Sequence, residues 1–213
     1  MNLATEARIL ADYIQKVNLS FEYEATSNVA YTHIGALYTD IILQAGLNYR
    51  TVVYPRVIRV LHEYPTANTV KGFIEVVRRE GIANVIKWKH PDKIDRMRNL
   101  LDFSTRMSIN TCDDLSDFLR MESNHEKLLD IKGIGNKTLD YTLKLLAFDT
   151  IAVDRHIYSF VEQAGLPAID YRTTKKIVEF AADILDVSRS ALDYGIWVYM
   201  SNKRNRQTTI NFV

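Results

Sequence analysis

An all-α fold is predicted by three features of this 213-residue sequence. Apolar residues recur at the three- and four-residue spacing that gives a helix one apolar face. No stretch alternates apolar and polar residues between turn signals, as a half-buried strand would. Glycine (8) and proline (4) are scarce, and no segment is biased enough in composition to act as a linker or disordered tail.

The elements follow in order. Leu10, Tyr13, Ile14 and Val17 mark the first helix, and Ile34, Leu37, Ile41 and Ala45 the second. Val53, Val57 and Leu61 mark a third, and Phe73, Val76 and Val77 a fourth. Pro91 suits the first turn of a helix running through Ile94, Met97, Leu100 and Leu101. Thr111 or Asp113 can cap a short helix carrying Leu115, Phe118 and Leu119. Residues Thr173 to Leu185 form another, with Ile177, Phe180, Ala181 and Ile184 on one side. Ser188 caps the last, through Leu192, Ile196, Trp197 and Met200. Short loops between such helices predict a layered bundle, and no change in composition marks a domain boundary.

Composition narrows the function classes. The length can bury one substantial core or two smaller ones. No basic start followed by an apolar run suggests a secretory signal, and no apolar run approaches the roughly 20 residues that span a bilayer. The lone Cys112 excludes an intramolecular disulfide and a four-cysteine iron–sulfur cluster within one chain. The histidines at 33, 62, 90, 125 and 156 lack close paired spacing, so no metal or other cofactor is expected. The expectation is a cytosolic monomer, or a nuclear one in a eukaryote. Net charge is only +1, yet residues 51–106 carry eleven basic against six acidic side chains, and Lys203, Arg204 and Arg206 add a basic tail. Such segments are usually solvated surface and are weak motifs alone.

The informative stretch is Leu128 to Leu166, LLDIKGIGNKTLDYTLKLLAFDTIAVDRHIYSFVEQAGL. A helix ending near Ile131 is followed by Lys132-Gly133-Ile134-Gly135, then by a helix from about Asn136 to Ala147. Two glycines around one apolar residue allow a hairpin too tight for ordinary side chains. Ile134 can plug the gap between the helices while the hairpin amides stay exposed at a helix N-terminus. Amides placed there bind a phosphate through hydrogen bonds and the helix dipole, and so grip DNA without reading its sequence.

IKGIGNKTLDY followed by IAVDRHI resembles the helix-hairpin-helix, Gly/Pro-rich-loop, aspartate superfamily of DNA glycosylases, which includes endonuclease III and the 8-oxoguanine glycosylases. Lys137 matches the lysine that bifunctional members place just inside the second helix, although Lys132 also adjoins the hairpin. Asp154 matches the essential aspartate of the family's turn, and His156 its histidine, expected near the backbone phosphates. Gly133, Ile134 and Gly135 match the DNA-gripping hairpin. The chemistry requires such groups. Cleaving an N-glycosidic bond builds positive charge on the sugar, which a carboxylate stabilises. A neutral lysine amine can attack C1′ and form a Schiff base that permits β-elimination, and a helix N-terminus disfavours a cation. A lysine at a helix start is usually a surface charge, and an aspartate before RHIYSFVEQ is usually an N-cap; the joint pattern and spacing carry the inference.

Other matches are looser. DIILQAGLNYRTVVYPRVIRVL resembles the family's segment ending in a glutamine that enters the DNA stack, which makes Gln44 the candidate wedge. Trp88 or Lys89 falls near a second, apolar wedge. Tyr141, Tyr194 and Trp197 are equally plausible as base pocket or as core. The resemblance implies two helical lobes with a DNA-binding cleft between them: approximately 30–140 as a central lobe with the hairpin, and 1–29 plus 141–213 as the other, within one unit of 1–213. The implied function is removal of an oxidised base from damaged double-stranded DNA, with abasic-site lyase activity and no membrane partner. A monofunctional glycosylase for alkylated or mispaired bases is the alternative, and a non-catalytic DNA-binding module the third. Oxidised pyrimidine and 8-oxoguanine stay even: DRHI resembles compact 8-oxoguanine glycosylases, the hairpin endonuclease III.

Overall fold

The computed structural model describes residues 2–21, 31–167 and 169–210. It contains helices α1 (Leu3–Lys16), α2 (Ile34–Leu43), α3 (Tyr54–Glu63), α4 (Val70–Glu80), α5 (Ile82–Val85), α6 (Pro91–Arg106), α7 (Cys112–Arg120), α8 (His125–Leu129), α9 (Asn136–Leu145), α10 (Arg155–Gln163), α11 (Tyr171–Leu185) and α12 (Arg189–Ile210). No strand occurs among the described residues. The fold is all-α. The chain divides into two units: residues 29–147 form one, and residues 1–28 with 148–213 form the other.

In the 29–147 unit, α2 is the central helix, packed by α3, α4, α6 and α9. Its sequence IGALYTDIIL is apolar almost all round, and every residue from Ile34 to Leu43 is buried. A single apolar face, expected from the spacing of Ile34, Leu37 and Ile41, therefore understates it. The buried polar groups on α2 are all satisfied. Thr39 donates to the Gly35 carbonyl, Tyr38 bonds Ser104, and Asp40 accepts from tyrosines. Local signals set the ends of the surrounding helices. His90 caps α6, with Pro91 in its first turn, and Thr111 forms a capping box with Asp114, which settles the cap of α7 on Thr111. Leu61, expected on the apolar face of α3, is exposed, while Val60 beside it is buried.

In the second unit α1 lies along α11, and α10 packs on α12. Leu10, Ile14, Phe160, Val161, Ile177, Val178, Leu192 and Ile196 are its core. Phe160 meets Tyr13 and Tyr199 edge-on. Ser188 caps the start of α12 by accepting from the Ala191 amide. On α11 the buried face differs from the expected one. Ile177 and Ala181 are buried, but Phe180 and Ile184 are 42% and 50% exposed, and Val178 and Ala182 take their place. Small residues explain this. Ala7 and Ala11 of α1 and Ala181 and Ala182 of α11 are all buried, so the helices meet along alanines rather than along the bulkier edge. Trp197 is likewise 44% exposed beside a fully buried Ile196.

These faces predict different costs for similar truncations. Ile177→Ala should lower the stability of the protein by about 2–5 kcal/mol, and Ile184→Ala by no more than about 0.5 kcal/mol. Thermal or denaturant unfolding of the two variants measures the contrast.

Candidate active site

The hairpin after α8 is built by its backbone. Ile134 is 5% exposed and fills the gap as expected, but its amide donates to the Ile131 carbonyl at 2.9 Å and is not free for a ligand. Gly133 has φ +90°, and a Cβ there would collide with the Arg96 side chain of α6. Gly135 is different. Its backbone is extended (φ −113°), and a Cβ would meet nothing within 4 Å, so crowding within the chain does not explain this second glycine. No side chain caps α9. Among the described residues the amides of Gly135, Asn136 and Lys137 have no hydrogen-bond partner, leaving three donors at the positive end of a helix.

Lys137, in the first turn of α9, is half-buried, and its Nζ donates to Gln44 Oε1 at 3.1 Å. Gln44 sits at the C-terminal end of α2, and its Nε2 is buried without a partner. Sequence reading missed the group that holds this corner. Lys93 of α6 is 9% exposed, and its Nζ donates to the carbonyls of Ile42 at 2.6 Å and Ala45 at 3.0 Å. Those are orphan acceptors at the negative end of α2. Burial, with Arg96 and Lys137 nearby, lowers the Lys93 pKa to about 8. A signal existed: Lys93, Met97 and Leu100 stand at i, i+4 and i+7, which puts a lysine on a core stripe.

Asp40 was missed as well. It has no solvent exposure, and it accepts from Tyr31 at 2.7 Å and Tyr49 at 3.1 Å on Oδ2 and from Tyr141 at 2.8 Å on Oδ1. Burial raises its pKa against the opposing pull of the three hydroxyls. Tyr141 is thereby a partner of Asp40. Asp40 and Gln44 are four residues apart, as are Lys137 and Tyr141. Two hydrogen bonds, Asp40 to Tyr141 and Gln44 to Lys137, therefore tie α2 to α9 one turn apart.

In the other unit Asp154 is the N-cap of α10. Its Oδ1 accepts from the amides of His156 at 2.8 Å and Ile157 at 3.2 Å. Oδ2 has no partner among the described residues, so a half-buried carboxylate oxygen remains available. The segment leading to it is pinned from two sides. Asp193 accepts from the Ala152 amide at 2.8 Å, the Tyr171 hydroxyl from the Val153 amide at 3.3 Å, and Ile151 and Val153 are buried. His156 is half-buried in the first turn of α10. Tyr194 and Trp197 stack on each other and are 37% and 44% exposed.

Of the remaining candidates, Trp88 is half-buried under the Arg56 guanidinium, while Lys89 and Lys132 are exposed. Lys203 donates to Gln163. The side chains of Arg204 and Arg206 lie outside the described residues. No group of three or more potential metal ligands occurs among the described residues, and no helix there is long and apolar enough to cross a membrane.

A family model described as a domain of unknown function (DUF8548) matches residues 89–201, just over half of the chain and including the hairpin, Lys137 and Asp154. The chain belongs to this family. Among solved structures, this DUF8548 protein is similar to the crystal structure of the H. pylori 3-methyladenine DNA glycosylase MagIII bound to 1,N6-ethenoadenine. The two are 18% identical, with a TM-score of 0.53, over 96% of this chain and 99% of that one. That likeness shows the fold.

Two stability predictions follow from the buried groups. Lys93→Met should cost about 1–3 kcal/mol for each helix-end carbonyl left unpaired. Asp40 has a pKa raised by folding, so between the ordinary value of about 3.9 and its folded value the native state keeps a proton that the unfolded chain releases. Its contribution to stability therefore falls as pH rises through that window. Asp40→Asn should flatten the decline, read as the difference between the two proteins in unfolding series from pH 3 upward.

Proposed function

We propose that this protein is a base-excision DNA glycosylase with abasic-site lyase activity, with Lys137 as nucleophile and Asp154 as its carboxylate partner. The observation that carries the reading is Lys137 itself: a half-buried lysine in the first turn of a helix whose first amides stand uncapped. That arrangement suits a phosphate held at the hairpin and an amine aimed at the adjoining sugar. The glycosylase fold of MagIII adds support.

In the proposed reaction the neutral Lys137 amine attacks C1′ as the C1′–N bond to the base breaks, and the base departs with the bonding pair. Asp154 Oδ2 stabilises the positive charge on the sugar and takes the proton released by the amine. Opening of the sugar ring leaves an imine between Nζ and C1′, from which β-elimination expels the 3′ phosphate. Gly133, Ile134 and Gly135 shape the DNA-gripping hairpin, with the amides of Gly135 and Asn136 as phosphate donors, and His156 lies near the backbone phosphates. Gln44 serves as the wedge that fills the gap left by the flipped nucleotide. The substrate is an oxidised base in duplex DNA. A second reading, excision of an alkylated base, is favoured by the neighbour, whose name specifies 3-methyladenine and whose structure holds 1,N6-ethenoadenine. A panel of duplexes, each with one oxidised or alkylated base, separates the two.

Borohydride should trap a protein–DNA adduct on abasic DNA, and Lys137→Gln should lose it; a full-yield adduct in that variant removes Lys137 as nucleophile. Asp154→Asn retains a side-chain acceptor for the α10 amides and should bind DNA normally. Loss of the charge should slow base release by about 10²–10³-fold. Single-turnover rates test this, and wild-type turnover would reject the role. For any duplex the logarithm of the binding constant should fall linearly with the logarithm of salt concentration. Gly135→Val, whose side chain would project into open space beside the uncapped amides, should weaken damaged and undamaged duplexes alike.

A further inference from the structure

Gln44 and Lys137 are proposed to act on different parts of the substrate, yet here they are hydrogen-bonded to each other. While Oε1 holds the amine, the glutamine cannot stand out as a wedge, and the amine has a competing partner. Meanwhile Nε2 is buried with nothing to bond, a state that costs free energy and is relieved by any move that gives it an acceptor. The backbone is arranged so that only the side chain needs to move. Lys93 clamps the carbonyls of Ile42 and Ala45, which flank Gln44 in sequence. Beyond it the chain turns at Gly46 (φ +80°), where a Cβ would meet nothing within 4 Å.

We infer that Gln44 is a specificity-determining guard: it withholds the Lys137 amine until a duplex gap draws the glutamine away. The inference rests on the proposed roles of both residues and adds that they exclude one another. A duplex with an unpaired position offers base-edge acceptors and donors to the amide, including the buried Nε2. Taking them breaks the Oε1 contact and frees the amine beside the sugar. Single strands and small aldehydes offer no such gap, so they meet a guarded amine. Imine formation is thereby favoured on duplex in which a nucleotide has left the stack.

Two measurements on wild type, Gln44→Leu and Gln44→Glu test this. The first needs no DNA. Formaldehyde condenses with a lysine amine to an imine and water, cyanoborohydride reduces the imine to a methylamine, and mass spectrometry reads the rate at each lysine. In Gln44→Leu, which keeps the bulk without the acceptor, Lys137 should be methylated about 2- to 12-fold faster, the worth of one net hydrogen bond. Exposed Lys132 should be unchanged and serves as the internal reference. Gln44→Glu should slow Lys137, because a charged acceptor holds it harder. An unchanged ratio of Lys137 to Lys132 in all three proteins overturns the guard.

The second measurement is borohydride trapping on single-stranded and duplex abasic DNA. Gln44→Leu should speed trapping on the single strand by a similar factor and slow it on the duplex, where the wedge is lost. A variant that is slower on both overturns the exchange and leaves Gln44 a wedge alone. Failure of the proposed lyase function looks different: wild type then forms no adduct with either DNA, whatever the methylation rates. That result removes the duplex trigger together with the lyase reading.

Discussion

A carboxylate with no access to water must be given donors by the protein, and Asp40 is given three. This demand organises the 29–147 unit around the candidate site. Tyr31 and Tyr49 stand nine residues to either side of Asp40 and Tyr141 is 101 residues away, and each must place its hydroxyl within reach of the same group on α2. The Tyr141 bond fixes how far α9 can slide along α2. One turn away the same register brings Lys137 to Gln44. Breaking one partner of such a buried polar cluster costs more than its net contribution, because the groups left behind are desolvated and unpaired. The cluster thus makes the position of the Lys137 amine a property of the core rather than of a surface loop.

Lys93, an ionisable group that is also withdrawn from solvent, has the complementary task. It meets the carbonyls of a helix end, where a cation is favoured, just as the uncapped start of α9 favours an anion. Both helix ends belong to one unit, and each presents the sign of charge that the backbone dictates. The Asp154 segment is held by a different device. Asp193 and Tyr171 take its backbone amides, and the aspartate itself begins α10, so one side chain both terminates the extended run and offers a free oxygen.

The sequence made the helices legible because their signals are local. Thr111 with Asp114, Pro91 after His90, and Ser188 before α12 are capping chemistry readable within four residues. The hairpin was legible for the same reason, although only Gly133 is glycine for conformational cause. What stayed hidden depended on partners outside the local helical pattern. Tyr31 and Tyr49 lie nine residues from Asp40, beyond the ends of its helix, and Tyr141 is 101 residues away, so no helical spacing links them to it. Lys93 reads as one more cation in a basic stretch until its stripe-mates Met97 and Leu100 are noticed. Periodicity placed Phe180, Ile184 and Trp197 inward, because it reports that a helix has an apolar side but not how closely its neighbour approaches. The contact between Gln44 and Lys137, ninety-three residues apart, has no trace in either segment alone.

The division of the chain also has a consequence for its synthesis. Residues 29–147 are contiguous, so that unit emerges from the ribosome whole and can fold while the rest is being made. The other unit cannot. Its α1 carries Leu10 and Ile14, which belong to the core, but the helix it lies along begins at Tyr171. At translation rates of about 5–20 residues per second, the first helix waits roughly 8–30 seconds for its partner. During that interval its apolar face is available to chaperones, or to other chains, before it is available to its own core.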